Sequence, residues 1–355
     1  MPTINVRGLA IACALTLPLL STSCWYAKQA ARFLGHRAAA RPVQKLVDDT
    51  GTDERLAVFL ERVEAIRAFS VDEVGLRPTK NYTSYVTVDR DYLADVVSAC
   101  AADSFTRYYW TYPFLGPMPY KGFYDRADAE AEAARLRKAG LDVMVRHVDA
   151  FSSLGFFRDP LFSFMVDYPE GELAELIVHE SAHATLFLKG QDRFNEEFAT
   201  FVGRRAADLY VAGRFGADSP EATARREGLA DRTAFVEFLK ETARLLSLAY
   251  DDPALSREDK LDRKAAVLAE RAAVYRATAG TLFKGDNYRR FDMGRVDNAY
   301  LDLYRLYEED LSPYERWLDE MAGGSLREFV RTIDELAATR PADMRAAMLA
   351  RLDGG

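Results

Sequence analysis

Apolar and polar positions alternate with different periods in different parts of the chain. Residues Trp25 to Ala40, Val43 to Asp49 and Asp53 to Phe69 read as helices, the last with Leu56, Val58, Phe59, Val63, Ile66 and Phe69 as an apolar stripe. From Asn81 to Tyr124 the pattern turns strand-like. Tyr82 to Val88 and Phe105 to Tyr112 are rich in aromatic and β-branched residues, and prolines 113, 117 and 119 with Gly116 mark a turn. Asp125 to Lys138 is an Ala/Glu/Arg-rich helix closed by Gly140, and Leu141 to Val148 is again a strand. That strand–helix–strand order predicts a small mixed sheet. An apolar and small-residue run without Pro or Gly extends from Leu173 to Leu188, and a second helical pattern starts near Phe194 after Gly190 and Asp192. Beyond Gly203 the chain is almost wholly helical. Glu221 to Ala249 and Arg257 to Gly280, separated by Asp251-Asp252-Pro253, predict an antiparallel hairpin; Arg295 to Glu308 and two C-terminal helices follow. The expected fold class is α+β, predominantly helical, with a helical C-terminal half.

Composition bounds the function. The chain has 355 residues, 49% of them hydrophobic and 29% charged, which is ordinary for a globular protein with a sizeable core. A formal charge of −8 argues against nucleic acid as a partner. The N-terminus reads as a targeting segment, because Arg7 precedes a run from Leu9 to Leu20 that is apolar apart from Thr16 and Pro18. Ser21-Thr22-Ser23-Cys24 follows, small residues before a cysteine, as at a lipoprotein cleavage site, although Leu20 stands one place further from the cysteine than that pattern usually has it. The expectation is a signal peptide over 1–23, a lipidated Cys24, and an exported chain tethered to the bacterial cell envelope on the extracytoplasmic side. Processing would leave Cys100 as the one thiol and no internal disulfide.

The chemistry concentrates in His179-Glu180-Ser181-Ala182-His183, an HExxH pattern inside the apolar run. On a helix, positions i and i+4 project from one face about a turn apart, so both imidazoles reach a single metal ion. Glu180 lies about 100° further round, placed to touch a water at the metal without being a ligand. Two of the four histidines in the chain fall in this pattern; His36 and His147 have no partner at ligand spacing and read as structural or surface residues. The bland reading of His179 and His183 is a pair of satisfied core histidines. A zinc site needs a third protein ligand, and the next helix offers Glu196 and Glu197. Glu196 shares a face with Ala199, Gly203 and Ala206, a strip of small residues that lets helices approach closely, so Glu196 is the expected ligand. The cofactor expected is one zinc ion per chain.

HESAH followed by Asn195, Glu196, Phe198 and Ala199 resembles the gluzincin metallopeptidases, with a shorter interval of 12 residues between His183 and Glu196. More closely, the chain resembles a family of bacterial predicted aminopeptidases with this short interval. The stretches that carry the resemblance are Tyr120-Lys121-Gly122-Phe123-Tyr124, Phe151 to Pro160, HESAH and Phe194 to Ala199. It implies a zincin-like core over 81–203, between an N-terminal helical segment over 24–80 and a helical C-terminal region over 204–355. It also implies a substrate-pairing edge at or just before Ser152 to Gly155, with Gly155 allowing close approach of backbone.

The chemistry expected is zinc-dependent hydrolysis of a peptide substrate, with Glu180 as the catalytic base and His179, His183 and Glu196 as ligands. Tyrosine commonly stabilises the oxyanion in the enzymes it resembles; Tyr300 and Tyr304, in the segment carrying Asn298, are tentative substrate-site residues. An exopeptidase also needs a carboxylate for the substrate's α-ammonium, and Glu197, Asp159 and Asp297 are open alternatives. The competing expectation is a non-catalytic, metal-containing envelope lipoprotein whose helical hairpin binds a partner.

Overall fold

The computed structural model describes residues 25–112, 116–149, 158–305 and 310–354. Helix α1 covers residues 25–39. Strand β1 (Arg41–Pro42) and helix α2 (Val43–Val47) lead into α3 (Glu54–Asp72), where the Asp53 side chain accepts the N–H groups of Arg55 and Leu56. Then come β2 (Ser84–Val86), β3 (Ala94–Ala101), β4 (Trp110–Tyr112), β5 (Gly116–Met118), β6 (Lys121–Phe123), α4 (Arg126–Lys138), β7 (Leu141–Val148) and β8 (Leu161–Phe162). The helical remainder is α5 (Glu170–Thr185), α6 (Asp192–Phe215), α7 (Pro220–Tyr250), α8 (Arg257–Leu282), α9 (Asp286–Arg289), α10 (Asn298–Arg305), α11 (Ser312–Glu320), α12 (Leu326–Ala338) and α13 (Met344–Asp353).

The chain is thus a mostly helical α+β fold with small sheets, as the pattern predicts. One sheet has the order β1-β2-β8 and mixes antiparallel with parallel pairing, Tyr85 opposite Leu161 and Val86 opposite Phe162. A second has the order β6-β3-β7, with β3 antiparallel to both neighbours, and α4 connects its two outer strands. One expectation needs correction. The aromatic stretch Phe105 to Tyr112 forms a strand only at Trp110–Tyr112; before it, Arg107 makes a single bridge to Cys100 and ion-pairs through its side chain with Asp302. The central strand, Ala94–Ala101, carries no alternating signal because most of its residues are buried: α4 packs on it, α10 packs on it, and small side chains fill the space.

Three buried clusters organise the packing. The first joins α2, α3, β2, β8, α5, α6 and α11–α13, and it holds the HExxH helix. The second lies among α7, α8 and α10, and the third between α4 and the β6-β3-β7 sheet. In α5, Leu173, Ala174, Ile177, Val178, Ala182 and Thr185 are buried at helical spacing, each large aliphatic side chain contributing about 1.5–3 kcal/mol. That stripe fixes the helix rotation, and with it the neighbouring edge carrying His179, Glu180 and His183.

Candidate metal centre and cleft

Helices α5 and α6 form the centre. Their closest approach is at Gly203, where a Cβ would stand 3.0 Å from the Glu175 carbonyl oxygen and 3.2 Å from the His179 Cβ. With Ala199 and Ala206 also fully buried, the small-residue strip of α6 lies against the histidine helix. The turn between the helices is clamped by Asn195: its amide donates to the Leu188 carbonyl at 2.8 Å and its oxygen accepts the Leu188 N–H at 2.8 Å. Gly190, at φ +78°, supplies the left-handed residue the turn requires. This geometry puts Glu196 one helical step past the clamp and opposite the imidazoles.

His179, His183 and Glu196 each offer a ligand atom, and these atoms lie within 4.8 Å of one another. The two Nε2 atoms are 3.1 Å apart. Glu196 oxygens stand 3.5 Å from His183 Nε2 and 3.8 Å from His179 Nε2. Burial and the nearby His183 push the His179 imidazole down to about 4, so it is neutral near pH 7, the protonation state a metal needs. The hydrogen bond to His183 holds the Glu196 carboxyl below the usual range. Adjacent donors of a tetrahedral zinc site stand about 3.3 Å apart. Two nitrogens and a carboxylate at these separations therefore fit a zinc ion. Glu196 is 63% exposed on its side chain and His183 only 7%, so the set opens to solvent on the Glu196 side.

The His179 shift carries a pH consequence for the metal-free chain. Below its ordinary pKa of 6.5 the unfolded histidine takes up a proton that the folded one refuses down to about 4. The unfolded state then binds more protons, so stability falls as pH drops through that window. Thermal melts of chelated protein are expected to show a falling Tm between pH 7 and pH 4, and a flat Tm would contradict the buried neutral His179.

Glu197 points away from this centre. Its carboxylate, 3% exposed, accepts from Arg193 Nε at 2.8 Å, Arg345 Nε at 3.0 Å and the Tyr314 hydroxyl at 3.2 Å. These partners bring α11 and α13 behind the first turn of α6, and Gln191 adds hydrogen bonds to the Pro341 carbonyl and the Met344 N–H. Removing the buried carboxylate would take away the acceptor that Arg193, Arg345 and the Tyr314 hydroxyl share. Glu197→Ala is expected to cost about 3 kcal/mol of stability by denaturant melts while leaving the ligand set in place. Full retention of stability would contradict this anchoring role.

The other expected site residues have different positions. Asn298 is fully buried, accepts from the Tyr250 hydroxyl at 2.8 Å and donates to the Ala101 carbonyl at 2.9 Å. Tyr300 and Tyr304 pack on each other and on Phe291 and Phe235 in the second core. None of the three lines the cleft beside the ligands, and packing accounts for all of them. Asp297 accepts the Tyr300 N–H at 2.9 Å. His147 contacts Asp95 at 3.0 Å and stacks on Tyr92, while His36 packs against Tyr124 and Phe162. Gly155 and Cys24 lie outside the described residues.

A cleft of about 810 Å³ opens beside His179 and Glu180, between α5, α6 and the first half of α7. Its lining holds groups that sequence reading missed. Glu175 and Glu172 stand four and seven residues before His179 on the same helix face, a spacing legible in the sequence, and Asp149 joins them after β7. Arg225 roofs the cleft: its guanidinium reaches Glu175 at 2.8 Å, Asp208 at 2.6 Å, and the carbonyls of Gly171 and Arg204 at 3.2 Å. Glu172 has its carboxyl pushed up, by the surrounding protein first and then by Glu175 and Asp149. Tyr82 was also missed. It is 2% exposed, adopts φ +61°, and donates its N–H to the Asp159 carbonyl at 2.7 Å. Burial raises the pKa of its hydroxyl, and the charges of Glu180 and Asp159 raise it further.

The fold and centre together describe a helical α+β protein with a His/His/Glu cluster able to hold a metal. A family model described as "putative aminopeptidase" matches residues 24–349, and the chain belongs to that family. No curated protein and no solved structure matches the chain.

Proposed function

We propose that the chain is a zinc-dependent aminopeptidase tethered to the cell envelope. The observation that carries this reading is the convergence of His179 Nε2, His183 Nε2 and the Glu196 carboxylate at ligand separations, in a member of an aminopeptidase family. Zinc held by these three groups supplies Lewis acidity to the scissile carbonyl and acidity to the attacking water. Glu180, next to His179, takes the proton from that water and delivers it to the leaving amine nitrogen.

The acidic lining of the cleft supports a preference for free N-termini. A substrate α-ammonium needs negative charge, and Asp149, Glu172 and Glu175 line one wall, with Glu175 fixed by Arg225. Glu172 makes no salt bridge among the described residues, so its carboxylate is available to a cationic group. A charge-assisted hydrogen bond of this kind is worth about 1.5–3 kcal/mol. Glu172→Gln is therefore expected to raise KM for peptides with free N-termini about 10- to 100-fold, with little change in kcat. An unchanged KM would remove Glu172 from the ammonium site.

The leader over 1–23 and a lipidated Cys24 complete the reading, placing the enzyme outside the cytoplasm on a membrane. Among the described residues no helix is long and apolar enough to cross a bilayer. Peptide hydrolysis by purified protein, abolished by a chelator and restored by zinc, tests the activity.

A further inference from the structure

Helix α1 begins at Trp25, directly after the apolar Leu9 to Leu20 run and Cys24. Its first residues sit in an aromatic patch contributed by three separate segments. The Trp25 ring is 4.9 Å from Tyr26, 5.8 Å from Tyr112 and 6.1 Å from Phe123, centroid to centroid, and Tyr26 is 6.2 Å from Tyr112. Lys121 Nζ stands 4.9 Å over the Trp25 ring. The Tyr112 hydroxyl reaches the Tyr120 carbonyl at 3.5 Å. Tyr26 and Tyr120 remain 39% and 41% exposed, although the strands behind them are packed.

We infer that this patch of Trp25, Tyr26, Tyr112, Tyr120 and Lys121 is a docking surface for the headgroup layer of the lipid bilayer, and that it fixes the orientation of the enzyme on its membrane. The inference rests on the envelope location proposed above and goes beyond it, because a lipid tether alone leaves the body free to tumble. Two observations select the bilayer as occupant. The 24 residues outside the description before Trp25 include a long apolar run and a candidate acylation site, so the membrane-bound end of the chain enters the body within this patch. The patch is also made of the side chains suited to that layer: rings with an apolar body and a polar tip, and a lysine whose ammonium lies over the Trp25 and Phe123 rings. Lys121 adds attraction to anionic headgroups. By contrast, the α7–α8 hairpin carries isolated exposed apolar residues such as Leu248 and Val274.

The test uses the full chain with Tyr120→Cys, labelled with a polarity-sensitive fluorophore and reconstituted into phosphatidylethanolamine/phosphatidylglycerol vesicles. Glu237→Cys, on the exposed side of α7, is the control position. The expected result is a blue shift of the label at position 120 on vesicles and none at 237. The shift should persist as protein is diluted to one chain per vesicle. Adding Tyr26→Glu should abolish the shift while the chain stays vesicle-bound. A chain that floats with vesicles but shows no shift at 120 would overturn the docking surface and leave the tether intact. A shift that fades on dilution would make a second copy of the chain the occupant, which also overturns the proposal. Failure to associate with vesicles at all would remove the tether and the docking surface together, while chelator-sensitive hydrolysis would still report separately on the peptidase reading.

Discussion

Glu180→Gln is expected to bind zinc as the unaltered chain does and to lose peptide hydrolysis, with kcat lower by about 10²- to 10⁴-fold and KM nearly unchanged. The amide keeps the size and much of the hydrogen bonding of the carboxylate, so packing around α5 is preserved. What it removes is the ability to accept a proton from water and hand it to the leaving nitrogen. Because Glu180 is not one of the three converging ligands, metal content should stay at one ion per chain. Metal analysis alongside single-turnover kinetics checks both halves of the statement. Loss of zinc in this variant would mean that Glu180 belongs to the ligand set and that the roles on α5 are differently divided. Retained activity would assign proton transfer to another group.

His183→Ala carries the second large effect. His183 is the most buried of the three ligands, at 7% side-chain exposure, and its Nε2 lies nearest to both partners. Without it, Glu196 and His179 remain as a two-donor site, too few for tight binding by zinc. Activity is expected to fall by about 10³-fold or more, because several kcal/mol of transition-state stabilisation leave with the metal. A thermal readout separates this from simple misfolding. Zinc at about 100 times its Kd should stabilise the unaltered chain by about 2.7 kcal/mol and leave the variant's Tm where it was. A variant that still gains stability from zinc would show that the metal binds elsewhere.

The sequence was most informative where one helix carries the chemistry. His179, Glu180 and His183 are local in the chain, and the choice between Glu196 and Glu197 could be argued because Ala199, Gly203 and Ala206 mark the face that can approach another helix. The structure puts Gly203 against His179 and turns Glu197 into a buried anchor for Arg193 and Arg345. Glu172 and Glu175 were equally legible by spacing, seven and four residues before His179 on the same helix. Other features had no local signature. Tyr82 is held by its N–H bond to the distant Asp159 carbonyl, and Arg225 closes the cleft only because α7 folds back over α6. Asn298, Tyr300 and Tyr304, grouped in one segment of the sequence, lie where α10 packs against α7 and β3 and away from the lining of the cleft. The central strand Ala94–Ala101 escaped because burial on both faces erases alternation.

The most direct test is hydrolysis of a broad peptide library by purified full chain, run in parallel with free and acetyl-blocked N-termini and with a chelator control. Release of N-terminal residues from free peptides only, lost on chelation and recovered with one zinc per chain, is the predicted result. Stoichiometric zinc with no hydrolysis of any peptide would contradict the enzyme and favour a metal-containing binding protein. Absence of bound zinc would contradict the centre itself.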